Sequence, residues 1–286
     1  MGIYCIKYGV LKKHFFKLSS IPLSACWSGD NYCEPNGTLA SLSPNDEVFL
    51  FSSKRALTFS RHELQAKVSL LVAEPVAVQK RLYQLLPYFE RRFHRIATHA
   101  NEILVSCTNA EKWVHGGRWV PLNQVDTCSK PELISIIASK KKSSEGHKLR
   151  HELIEYARDK RISLKTFGKG YQYLDNKQDG HLPFRFSVII ENSKSDGYFT
   201  EKLIDAILCG SIPIYWGDPS VGKYFNLNGF IQCQNLEDLK LAIENVTVEM
   251  YDRMAPITIE NKARASDLLE CPISMTKLAG PKIFDI

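Results

Sequence analysis

The chain has 286 residues, 44% apolar and 24% charged, with eight cysteines and a formal net charge of +6. That mass supports two domains of about 100–150 residues each and a full core without disulfide staples. No run of about 18 apolar residues occurs, so no transmembrane helix is encoded, and the amino-terminal MGIYCIKYGVLKKHFFK lacks the apolar core of a signal peptide. A cytoplasmic location is expected, or the Golgi lumen for a segment of a longer chain. The cysteines have neither C-x-x-C nor zinc spacing and read as reduced thiols. Basic clusters at Lys12-Lys13, Arg91-Arg92 with Arg95, and Lys140 to Lys142 read as solvated faces, able at most to touch a membrane surface. They lack the aromatic interleaving of a nucleic-acid module, so no nucleic-acid partner is expected.

In chain order, the opening forty residues give turn chemistry without clear periodicity. DEVFLFS (46–52) and KVSLLVA (67–73) are β-rich apolar runs, a helical pattern spans about Val76 to Arg92, and NEILVS (101–106) is a further strand candidate. After Pro131 the alternation sharpens. ELISIIAS (132–139) predicts a strand, GHKLRHELIEYARDK (146–160) an amphipathic helix, and ISLKTF and FRFSVII (184–190) strands. A helix at 200–209, the strands SIPIYW and FIQC, and the helix NLEDLKLAIENV follow. Strands alternating with helices imply right-handed crossovers and doubly wound parallel sheets. A boundary near residue 130 divides the chain into domains 1–130 and 131–286, and the last thirty or so residues could pack back on the first domain.

Within IPIYWGDPSVGKYF (Ile212–Phe225), Gly217 and Gly222-Lys223 stand at the spacing of a phosphate-binding P-loop. Three features oppose that reading. Tyr224 occupies the position where a magnesium-binding Ser or Thr belongs, Pro219 removes a backbone donor, and too little chain follows Lys223 for the rest of such a fold. Gly217 and Gly222 read instead as turn residues and Lys223 as solvent-facing.

The informative segment is FRFSVIIENSKSDGYFTEKLIDAILCGSIPIYWG (184–217). A nearly all-apolar strand ends abruptly in Glu191-Asn192-Ser193, passes a loop with Gly197 and enters a helix whose N-cap is Thr200. Asn192, Tyr198, Glu201 and Lys202 thereby fall beyond the carboxyl end of a parallel strand, where such sheets bind ligands, and a helix amino terminus there suits a diphosphate.

Taken in order, Glu191-Asn192-Ser193, Tyr198, Thr200-Glu201-Lys202, Gly210, Ile212-Pro213-Ile214-Tyr215 and Gly217 resemble the donor-site signature of the α-1,3-fucosyltransferases, glycosyltransferase family 10. The likeness extends more weakly over 131–245 and faintly over 65–125. It implies an α/β fold of GT-B type: two Rossmann-like domains with parallel sheets facing across a cleft, the first binding acceptor and the second GDP-fucose, with inversion at the anomeric carbon. Carried over, the donor contacts fall on Arg150, Asn192, Tyr198, Glu201 and Lys202. Glu201 is expected on the ribose hydroxyls, Lys202 and Arg150 on the diphosphate, and Tyr198 on the fucose and phosphate pocket. No D-x-D motif occurs, so fixed cations are expected to receive the leaving charge without an essential metal. Inversion needs a general base; Glu74, at the carboxyl end of a buried strand and held extended by Pro75, is the candidate. Glu63, Glu90, His94 and His99 are weaker substitutes.

The expected reaction moves L-fucose from GDP-fucose to a hydroxyl of a GlcNAc- or Glc-containing oligosaccharide or glycoconjugate, in α-1,3 linkage. The alternatives are another nucleotide sugar on the same scaffold, or a non-catalytic glycan- or nucleotide-binding protein.

Overall fold

The computed structural model describes residues 2–7, 10–13, 17–27, 36–121 and 129–269. The described chain forms two compact units that meet in sequence at His115 and Gly116, ahead of the boundary expected near 130. Trp119 and Val120 explain the difference: both backbone amides donate to the buried Asp205 carboxylate, at 2.8 and 3.2 Å, which ties this stretch to the second unit. The expected return of the chain end falls on residues 270–286, outside the described residues.

The first unit runs β1 (Ile3–Ile6), α1 (Val10–Lys13), β2 (Cys26–Trp27), β3 (Glu47–Phe51), β4 (Lys67–Val72), α2 (Val76–Phe89), β5 (Ile96–Thr98), α3 (Asn101–Ser106) and β6 (Ala110–Lys112). Its sheet has the order β2-β1-β3-β4-β5-β6, parallel throughout except for the β1–β2 pair. Both faces are covered. Val68, Leu70 and Val72 join Leu82, Leu86 and Ile103 in one core, while Phe49, Leu71, Ala97 and Trp113 form a second. This two-sided burial is why the strands read as unbroken apolar runs.

Residues 101–106 are helical, which corrects the expectation of a strand. Ala100, Ile103 and Cys107 are buried while Val105 is 88% exposed. That pattern follows the helical period, and strand alternation would have turned Val105 inward with Ile103. The strand nearby is the short β5, too brief to stand out in sequence.

The second unit runs β7 (Glu132–Ile137), α4 (Glu145–Asp159), β8 (Leu164–Phe167), β9 (Phe184–Ile190), α5 (Glu201–Leu208), β10 (Ile212–Trp216), β11 (Ile231–Gln232), α6 (Leu236–Asn245) and α7 (Val248–Leu269). All pairings in its sheet, ordered β11-β10-β9-β7-β8, are parallel. The chain steps outward from β7 to β8, then returns past β7 to build β9, β10 and β11. Strand order therefore reverses between β7 and β9, and right-handed crossovers send the helices on either side of that point to opposite faces. Helix α4 packs beside α6, and α5 beside α7. The crevice beyond the carboxyl ends of β7 and β9 is the switch point at which such sheets take ligands.

Candidate donor site at the β7–β9 switch point

Register brings the two strand ends together, with Ile136 opposite Val188. Beyond β7 the chain enters α4, whose N-cap Ser144 accepts from the His147 amide. The first turn of α4 lies against the end of β9, where the Gly146 amide donates to the Asn192 carbonyl at 3.2 Å. A Cβ on Gly146 would overlap the Glu191 carbonyl, so only glycine permits this approach. One turn on, Arg150 is 5% exposed. Its Nε donates to the Ile190 carbonyl at 3.0 Å, and its Nη2 donates to the same carbonyl and to Asn192 Oδ1 at 3.3 Å. Among the described residues these are its hydrogen bonds, all made through Nε and Nη2.

Beyond β9, Gly197 takes φ +72, a left-handed conformation open to glycine. Its amide donates to Asp218 Oδ1 at 2.9 Å. Thr200 then caps α5, as its position in the sequence suggests, accepting from the Lys202 amide. Glu191, fully buried, organises this corner. Its Oε1 accepts from the Thr200 amide at 2.8 Å, its Oε2 from the Thr200 hydroxyl at 2.8 Å, and Lys202 Nζ lies 3.4 Å from Oε2. Lys202 Nζ also donates to Thr200 Oγ1 at 2.9 Å and lies 3.4 Å from Glu201 Oε1.

Burial pulls the Lys202 pKa down, but Glu191 and Glu201 outweigh it and hold the ammonium above its ordinary range. Burial lowers the Arg150 pKa against the pull of Glu191, Tyr198 and Glu201. His147 is pushed down to about 4, first by burial and then by the charges of Arg150, Lys141 and Lys202. It is therefore neutral beside two fixed cations at neutral pH. Glu201 is flanked on its other side by Lys177 Nζ at 3.9 Å, and that ammonium sits 3.7 Å from the centre of the Trp119 ring.

The structure thus brings Arg150, Asn192, Tyr198, Glu201 and Lys202 to one corner, and adds Glu191, Gly146 and Lys177, which sequence reasoning did not name as site residues. Glu191 stood inside the quoted motif, yet an acid at a strand end carries no signal of full burial. Glu74 belongs to the other unit and is described there: half-buried, two residues past β4, with its backbone carbonyl accepting from Tyr83 Oη at 2.9 Å. Of the substitutes, Glu63 pairs with Lys17 at 2.6 Å, Glu90 accepts from the Thr108 amide at 2.6 Å, and His94 is exposed. His99 is buried, and burial pushes its pKa down to about 4.

The P-loop spacing builds no phosphate cradle. After Gly217 the chain turns through the buried Asp218, which accepts from Gly197 and Ser220, and Val221–Lys223 make a single 3-10 turn. Gly217 serves close packing, since a Cβ there would meet Tyr215 Oη and Glu191 Cγ. Lys223 is exposed. Among the described residues Cys5, Cys26, Cys107, Cys209 and Cys233 are buried, no group of three His, Cys, Asp or Glu could hold a metal, and no helix is long and apolar enough to cross a membrane.

Two parallel Rossmann-like units in one chain define the GT-B class of glycosyltransferase folds. Residues 127–251 match the model of glycosyltransferase family 10 (fucosyltransferase) C-term. An alpha-(1,3)-fucosyltransferase, FucT, of Helicobacter pylori is 39% identical over 77 residues, 27% of this chain and 16% of that protein. The putative fucosyltransferase R654 of Acanthamoeba polyphaga mimivirus is 37% identical over 98 residues, 32% of this chain and 16% of that protein. The match therefore spans a small part of either relative. The crystal structure of Anabaena HepE in complex with UDP and glucose shares the fold at a TM-score of 0.57 and 10% identity, covering 78% of this chain and 74% of that one.

Proposed function

We propose that the chain is an inverting fucosyltransferase that moves L-fucose from GDP-fucose to a hydroxyl of a GlcNAc- or Glc-containing glycan, in α-1,3 linkage. The observation that carries this reading is the meeting of Arg150, Asn192, Tyr198, Glu201 and Lys202 at the β7–β9 switch point, inside the region of family 10. In the proposed step the acceptor oxygen attacks the fucose anomeric carbon from the face opposite GDP. The C–O bond to the β-phosphate breaks, and its electron pair stays on the phosphate oxygen. Arg150 and Lys202 receive that charge. One is fixed to the backbone at the end of β9 and the other is anchored at the start of α5, so little reorganisation is needed as the charge develops. These two cations, with the positive amino terminus of α5, supply what a bound metal would otherwise supply, so no divalent ion is essential. Glu201 takes the ribose hydroxyls. Glu74 takes the acceptor proton.

Calorimetric titration with GDP-fucose and GDP-mannose tests the donor, and tighter binding of GDP-mannose would overturn it. Glu74→Gln is expected to lower kcat by about 10²–10⁴-fold while GDP binding is retained. Wild-type turnover in that variant removes Glu74 from the role of base. Activity is expected to survive EDTA; its complete loss, restored by added metal, would overturn the metal-independent step.

A further inference from the structure

The first unit holds a cavity of about 740 Å³ between the carboxyl ends of β1 and β3 and the first turns of α2. Five of its lining residues are cations, Lys7, Lys54, Arg55, Lys80 and Arg81, and none of the described lining residues is an acid. Lys7 Nζ donates to the Ser24 carbonyl at 2.8 Å. Among the described residues Lys54, Lys80 and Arg81 have no carboxylate partner, and all three are exposed. Two other cations of the same unit are paired: Arg95 grips Glu47 and Glu111, and Lys17 grips Glu63. Like charges on a concave, low-dielectric wall focus a positive potential into the space between them.

The rest of the lining is uncharged. It includes Phe51, half-buried, with Ile6 and Leu82, 1% and 3% exposed, behind it in the core. Ser52 Oγ donates to Gln79 Oε1 at 2.7 Å, and Gln79 Nε2 donates to the Ser52 carbonyl at 3.0 Å. Gln79 departs from helical geometry, at φ −125 and ψ 35, so α2 is interrupted just before Lys80-Arg81. Uncharged lining residues with a few fixed polar groups, in a volume within the usual range of small-ligand sites, suit one or two sugar rings. Nucleic acid is bound by charge spread along an extended track, whereas these five cations line one recess.

We infer that this cavity binds an anionic acceptor glycan, with a carboxylate, sulfate or phosphate on the sugar facing the cationic wall. The inference rests on the fucosyltransferase reading above. It agrees with the placement of Glu74, because Ala77 of the cavity wall follows Glu74 by three residues and the Ser52 amide bonds the Leu71 carbonyl at the same end of the sheet.

The test is transfer from labelled GDP-fucose to N-acetyllactosamine and to its sulfated, sialylated and phosphorylated forms, at low salt and at about 0.5 M salt. Calorimetric titration of the same glycans without donor accompanies it. The KM of the best anionic form is expected to lie about tenfold below that of the neutral glycan, the gap closing at high salt. Lys54→Glu and Arg81→Glu each collapse the ratio of neutral to anionic KM toward one. The ranking of the three anionic forms identifies the group. Equal KM values for neutral and anionic glycans, a ratio indifferent to salt and to both variants, or displacement of the sulfated glycan by an oligonucleotide each overturn the assignment. Transfer to neutral glycans without preference defeats the cavity assignment and leaves fucosyl transfer standing. Salt-sensitive binding of the sulfated glycan without any turnover of GDP-fucose defeats fucosyl transfer and keeps the cavity assignment.

Discussion

The carboxylate of Glu191 accepts from the Thr200 amide and hydroxyl and stands 3.4 Å from Lys202 Nζ, in a position closed to solvent. A buried carboxylate is tolerated only when its oxygens are paired, and removing its charge strands the partners as well. Glu191→Gln is expected to cost about 2 kcal/mol of stability, at the low end for a buried pair because Lys202 is 28% exposed. The same change frees Lys202 and raises the Kd for GDP about tenfold. Thermal unfolding and titration calorimetry measure both, and an undisturbed Kd would show that Lys202 stands apart from the nucleotide. The basic clusters teach a related lesson. Arg91-Arg92 with Arg95 read as a solvated face, yet Arg95 forks onto Glu47 at 2.7 and 2.8 Å, and Arg92 bonds the Phe59 carbonyl and lies 5.0 Å from the centre of that ring. Glu47 and Arg95 are 48 residues apart, so only strand register brings them together.

At the scale of elements, the proposed donor site depends on the seam between α4 and β9. Gly146 lets the first turn of the helix approach the strand end, and Arg150 closes the seam one turn later by bonding the Ile190 carbonyl. Gly146→Ala gains helix propensity but meets backbone, which cannot yield as a side-chain tip would. A net loss of about 1–3 kcal/mol is expected, with weaker GDP binding because Arg150 moves with its helix. Differential scanning calorimetry with and without GDP reads both effects, and a more stable variant would refute the close approach. Most elements were legible. ELISII, FRFSVII and IPIYW became β7, β9 and β10, and α4, α5 and α6 began at the expected caps or within a residue of them. Helix α7 was not foreseen, because Pro256 interrupts its pattern. Its buried Asn261 exchanges hydrogen bonds with the Asn226 backbone, a contact that sequence periodicity does not encode.

For the whole molecule, four buried or half-buried groups set the response to acid. His99, His147 and His181 are pushed down from 6.5 to about 4, 4 and 3, burial being the largest cause in each. As pH falls below 6.5 the unfolded chain takes up protons that the folded one refuses, so stability drops through this window. Asp205 acts in the opposite direction. Burial raises it from 3.8 to about 7, partly offset by Lys177. Between those values the folded state keeps a proton that the unfolded chain has lost, and stability from this group grows as pH falls. Each full term amounts to about 1.4 kcal/mol per pH unit, and three outweigh one. The unfolding temperature is therefore expected to fall between pH 6.5 and 4.5. Asp205→Asn, which keeps the acceptor for Trp119 and Val120, should steepen that fall, and thermal melts across the range decide it. A shallower slope in the variant would reverse the assigned protonation of Asp205.

By itself the sequence determined the alternation of strand and helix and the parallel sheets, because periods of 2 and 3.6, caps and apolar strand ends are local properties written in neighbouring residues. Tertiary structure alone decided which residues meet. The reversal of strand order between β7 and β9 places Arg150 against Asn192, 42 residues away, and strand register joins Arg95 to Glu47. Burial of Glu191 turned an ordinary strand-end acid into the anchor of Lys202. The cationic cavity of the first unit gathers Lys7, just past β1, Lys54, in the loop after β3, and Arg81 of α2. Such meetings depend on distances in space, which chain order does not contain, and on desolvation, which exists only once the sheets are covered.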